Sequence, residues 1–68
     1  MKVHYDEKSD AVYIRLDDKQ KIIESKEVES GVILDFDANG KVIGVEILKV
    51  KDRIGDDQLK ELKFQVAN

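Results

Sequence analysis

Cysteine, proline and tryptophan are missing from this chain of 68 residues, and histidine occurs once, as His4. The absence of cysteine excludes disulfides and any Cys₄ or Cys₂His₂ zinc site. With no thiol and a single imidazole, most schemes of nucleophilic catalysis lack a base. No run approaches the roughly 18 apolar residues of a membrane span. The first six residues lack the apolar core of a signal peptide, and no lipidation motif is present. These absences lead us to expect a cytoplasmic protein with no membrane association. A run of basic charge is also missing. The net charge is -3, and Lys19 and Lys21 sit beside Asp17 and Asp18. A phosphate-binding surface normally needs a basic patch, so no nucleic-acid partner is expected.

What remains is short and strongly patterned. We expect one domain, 1–68, with a sheet over 1–48 and a helical tail over 49–68 packed on it. A domain near 60 residues buries only about 60% of the surface its unfolded chain exposes. Its core is therefore thin, and a second copy is the natural way to extend it, so a homodimer is expected. Charged residues reach 40%, a fraction that could signal disorder. The apolar residues are periodic, however, and that argues for a fold. Val12, Ile14 and Leu16 alternate with Ala11, Tyr13 and Arg15, the two-residue period of a strand. Residues 2–5 form a short first strand, and the polar stretches 7–10 and 17–20 read as turns. Residues 22–28 give a weaker strand suited to an edge, where charge discourages pairing with other chains.

The clearest unit is 32–48. Asn39-Gly40 is the preferred dipeptide for a two-residue type I′ hairpin, in which both central residues need positive φ. That turn sets Phe36 against Ile43, Leu34 against Val45 and Val32 against Ile47. Every pair is apolar, and a slip by one residue would mix the faces. Beyond Leu48 the period lengthens. Residues 50–54 form a helical turn closed by Gly55, Asp56 caps a short helix through Lys63, and Leu59 and Leu62 share its inner face. Phe64 and Val66 either pack behind this helix or add a last strand. The expected class is α+β, mostly β: an antiparallel meander of four to five strands with a short C-terminal helix.

Two constellations invite chemistry. Asp35, Asp37, Asn39, Gly40 and Glu46 satisfy the spacing of an EF-hand calcium loop. An EF-hand joins two helices, whereas these residues are flanked by strand patterns, so no metal is expected here. Asp35 and Glu46 share the polar face of the hairpin with Asp37 and Gly44. Two carboxylates on one face suit a hard cation or acid–base work, or they serve only as a solvated or paired surface. Tyr13 and Arg15 form a recognition pair of a kind common at interfaces, and equally an ordinary cover for a sheet. His4 is the one side chain with a normal pKa near neutrality.

The ordered phrases Tyr5-Asp6, Asp10-Ala11, Tyr13-Ile14-Arg15-Leu16, Gly31-Val32-Ile33, Asp35-Phe36-Asp37 and Val42-Ile43-Gly44 with Glu46-Ile47-Leu48 resemble the bacterial and archaeal family called domain of unknown function 2283. The resemblance spans residues 1 to about 54. It implies a small β-rich fold and little biochemistry. Family members are commonly encoded beside small proteins resembling RelE-like toxins, which implies an antitoxin-like role for some of them. The positions it singles out are Tyr5, Asp10, Tyr13, Arg15, Asp35, Gly40, Gly44 and Glu46. Tyr5, Asp10, Tyr13, Arg15, Asp35 and Glu46 are candidate binding residues. Asn39, Gly40 and Gly44 are turn or close-approach positions, and no catalytic residue or cofactor is expected. The leading functional expectation is a protein–protein interaction module, the antitoxin-like partner of a small basic toxin. The alternative is a small-ligand or metal-binding protein, or a weak enzyme, using the Asp35/Glu46 face.

Overall fold

The computed structural model describes residues 1–66. Five strands, β1 (Lys2–Asp6), β2 (Ala11–Arg15), β3 (Glu24–Glu29), β4 (Val32–Phe36) and β5 (Val42–Ile47), precede a 3₁₀ turn at Val50–Asp52 and a helix, α1 (Asp56–Val66). All pairings are antiparallel, in one sheet of order β1-β2-β5-β4-β3. The class, the strand count and the C-terminal helix are as the residue pattern predicts.

The strand order departs from a plain meander. β2 pairs with β5, and β3 lies at the far edge beside β4. Composition explains the exchange. β5 carries Val42, Ile43, Val45 and Ile47 and belongs in the centre, while the wholly exposed β3 tolerates an edge. Arg15 fixes the crossing segment. Its Nε donates to the Asp17 carbonyl at 2.9 Å and Nη2 donates to the Gln20 carbonyl.

The β4–β5 turn also differs from the two-residue form. Gly40 has φ +78° and Asn39 does not adopt positive φ. The amide of Gly40 donates to the Asp37 carbonyl, and that of Asp37 to the Lys41 carbonyl. This is a three-residue loop, 38–40, with glycine in the left-handed position. Asp37 is the cause. Its buried carboxylate accepts the amides of Asn39 and Lys41 at 2.9 and 3.0 Å, an Asx turn. Val32 pairs with Ile47 and Leu34 with Val45 as expected, but a bulge then sets Phe36 opposite Val42 rather than Ile43.

The helix starts at Asp56, and the Leu59 amide bonds to the Gly55 carbonyl, so Gly55 rather than Asp56 is the cap. It runs past Lys63 to Val66, so residues 64–66 are helical and add no strand. Residues 67 and 68, part of the expected tail, lie outside the described residues. The core is formed by Tyr5, Val12, Val50 and Leu59, with Val3, Ile14, Ile47, Ile54, Leu62 and Val66 packed against it. All come from β1, β2, β5, α1 and the segment 50–54 that holds the 3₁₀ turn. β3 and β4 contribute none.

A helix of 11 residues is marginal alone and is held by this contact. Leu59→Ala should lower the unfolding free energy by about 2–3 kcal/mol in urea titration. Phe64, 80% exposed, should change it by no more than about 0.5 kcal/mol when replaced by Ala. Equal effects at the two positions would mean the helix docks on another face.

Candidate functional site

The candidate residues separate into two clusters on opposite faces of the sheet. On the helix side, Tyr5 at the inner face of β1 donates its hydroxyl to Asp10 Oδ1 at 2.7 Å. Asp10 ends the β1–β2 turn with φ +52°, a conformation aspartate tolerates better than most residues. Its other carboxylate oxygen accepts the Lys51 amide at 3.1 Å, and its carbonyl accepts the Val50 amide at 3.1 Å. One residue thus joins the first hairpin to the 3₁₀ turn and seats Val50, the most buried core side chain.

The bond to Asp10 raises the Tyr5 pKa from 10.0 to about 12, with burial and the Asp10 charge adding to it. For Asp10, burial pushes upward but is outweighed by the bonds from Tyr5 and the Lys51 amide, and its pKa falls below 3.8.

On the outer face, a hydrogen-bonded chain crosses four strands. Asp35 of β4 is 6% exposed. Its Oδ1 accepts the Ser25 hydroxyl of β3 at 2.6 Å, and Oδ2 accepts the Tyr13 hydroxyl of β2 at 3.3 Å. Arg15 Nη1 donates to the same Tyr13 oxygen at 3.4 Å. The last two contacts are long and correspondingly weak. Between Tyr13 and Asp35 lies Gly44 of β5. A Cβ there would stand 2.8 Å from Asp35 Oδ2 and 3.2 Å from the Tyr13 hydroxyl. Glycine is what lets the two side chains meet over the central strand.

Tyr13, Arg15, Asp35 and Gly44 are therefore brought together, and Tyr5 and Asp10 are not part of that group. Glu46 is in register with Tyr13 and Ile33 but enters no hydrogen bond of the network. His4, opposite Tyr13, is exposed near the edge. Asn39 and Gly40 serve the turn. Ser25 is the participant that residue reading missed. Its signal was the register of an edge strand, which a serine among charged residues does not reveal.

Chemically, the outer cluster is closed on itself. Both Asp35 oxygens are used, and the residue above them is a buried backbone position. The EF-hand spacing is occupied by β4, an Asx turn and β5, with Asp37 already holding two amides. Among the described residues no group of three or more His, Asp or Glu is placed to hold a metal ion. An open apolar groove of about 400 Å³ runs beside α1, lined by Val12, Ile47, Val50, Ile54 and Leu62. No described helix is long and apolar enough to cross a membrane.

Comparison with known proteins gives the family. The family model described as a protein of unknown function, DUF2283, matches residues 2–51, and the chain belongs to this family. No curated protein and no solved structure matches it.

Each cluster yields a test. Asp10, with its depressed pKa, contributes stability that is present above pH 3.8 and lost as pH falls through its folded value. Tyr5, with its raised pKa, contributes stability that is complete below pH 10.0 and lost on approaching about 12. The thermal midpoint of the wild type should therefore drop between these alkaline values more steeply than that of Tyr5→Phe. Parallel curves would show the bond contributes nothing. On the outer face, Gly44→Ala should cost about 1–3 kcal/mol by forcing Tyr13 and Asp35 apart. A neutral effect in chemical denaturation would contradict the close approach.

Proposed function

We propose that this protein acts by binding other protein chains rather than by turning over a substrate. The observation that carries the reading is a division of labour between the faces of the sheet. Of the polar candidates, Tyr5, Asp10, Tyr13, Arg15 and Asp35 are taken up in bracing the fold. The apolar face of β4, with Val42 and Val45 of β5, contributes nothing to the core built under α1, where Ile47 is the residue of β5 that packs. Val42 of β5 is 37% exposed, and Leu16 beyond β2 is 46% exposed. Sheet faces left without a second layer are where partners dock.

Charge favours a basic partner. The edge strand β3 presents Glu24, Glu27 and Glu29 against a single Lys26, all exposed, and the chain is net -3. Such a surface steers a cationic protein toward it and does so less as salt rises, because exposed charges are screened over about 8–10 Å. An antitoxin-like role, neutralising a small basic toxin, is the form of this reading that fits the acidic edge. Self-association belongs to the same reading, since the thin core gains from a second copy.

The test is affinity capture from the native host with the full chain and with Glu24→Lys/Glu27→Lys/Glu29→Lys. The wild type should retain one specific basic protein at low salt, and the charge-reversed chain should lose it while keeping its circular dichroism spectrum. If neither chain retains a protein, and the wild type converts a small substrate in a metabolite screen, the interaction reading fails.

A further inference from the structure

We infer that the uncovered half of the sheet's inner face, centred on Leu34, Phe36, Val42 and Val45, is the contact between two copies of this chain, packed sheet against sheet. The inference rests on the interaction reading and names the occupant of that face.

Register places these side chains together. Leu34 pairs with Val45 and Phe36 with Val42, and Val45 also pairs with Ile14 of β2. They therefore share the face that carries α1, but the core beneath α1 includes only Ile14 of this group. The surrounding charges are mixed. Lys26, paired with Leu34, holds its ammonium 5.9 Å from the centre of the Phe36 ring and 3.6 Å from Glu24. Lys26 and Glu24 offset one another within a single copy, so the margin of the patch on the β3 side is not purely acidic.

The dimensions point to a second copy. The accessible surface is 5171 Å². A compact monomer of 7.8 kDa would expose about 4,400 Å². The excess, roughly 800 Å² over the whole molecule, is similar in size to what each partner contributes to a standard interface. The molecule is also flat, at 38 × 27 × 17 Å, and its radius of gyration of 12.7 Å exceeds the roughly 11 Å expected for this length. Half of the sheet has its second layer in α1, and the other half has none. A second sheet stacked at about 10 Å supplies it.

Sedimentation equilibrium of the full chain tests this, with Leu34→Lys, Val42→Lys and Phe64→Lys as variants. The wild type should give about twice the 7.8 kDa chain mass. Leu34→Lys and Val42→Lys should each raise the dissociation constant at least about tenfold. Phe64→Lys, on the outer side of α1, should leave it unchanged. Leu34 is half-buried, so its variant requires an unchanged circular dichroism spectrum. Val42 is exposed enough that its variant decides the matter if Leu34→Lys unfolds. A wild type that stays monomeric at about 200 μM overturns the inference, as does a dimer insensitive to both lysines. A monomer that still captures a basic protein would leave the interaction reading standing and remove only the second copy. A dimer that captures nothing would do the reverse.

Discussion

The carboxylate of Asp10 holds three separate pieces of the chain together. It takes the hydroxyl of Tyr5 from β1 and the amide of Lys51 from the 3₁₀ turn, while its own carbonyl takes the amide of Val50. Without this clasp the path of the segment after β5 would rest on the Leu48 amide at the Gly31 carbonyl and Arg53 at the Ser30 carbonyl. Val50 would leave the core, and α1, too short to persist alone, would lose the surface it docks on. The thinness of the core makes the clasp important. Among the described residues the buried cluster beneath α1 is Tyr5, Val12, Val50 and Leu59, and the Asp10 junction holds Val50 in it.

A second junction, on the other face, fixes the order of the strands. Arg15 ties the crossing segment to β2, and its tip reaches the Tyr13 hydroxyl, which leads on to Asp35 and Ser25. The chain of contacts runs from β2 over β5 to β4 and the edge strand β3. Gly44 permits it by leaving its Cβ position vacant. Burying a carboxylate is costly unless it is hydrogen-bonded, and here two hydroxyls provide that. The side chains that look most like a site are thereby occupied with structure. On the half of the sheet that α1 does not reach, Leu34, Phe36, Val42 and Val45 lie outside the core.

Much of this was legible in the residues. The alternation of Ala11 to Arg15 and the apolar pairs of β4 and β5 gave strands, and the polar composition of β3 placed it at an edge. The grouping of Tyr13, Arg15 and Asp35 was not legible. Their contact depends on β2 lying beside β5, and local periodicity carries no information about which strands are neighbours. The turn at Asn39-Gly40 misled for a different reason. The dipeptide favours a two-residue loop, but Asp37 two positions earlier captures the amides of Asn39 and Lys41 and enlarges the loop. The bulge that follows moves Val42 onto the apolar face. Asp10 stood out as a turn and candidate binding residue, but its clasping role was hidden because its partner Lys51 lies 41 positions away.

The central claim is that the polar clusters brace the fold and the bare apolar half-face is the surface that acts. The most direct test is an isotope-filtered NOE experiment on an equimolar mixture of labelled and unlabelled chains. The account predicts intermolecular contacts among Leu34, Phe36, Val42 and Val45, and none involving Leu59 or Val50. Contacts centred on α1 or on the Asp35 network, or no intermolecular contacts at millimolar concentration, would contradict it.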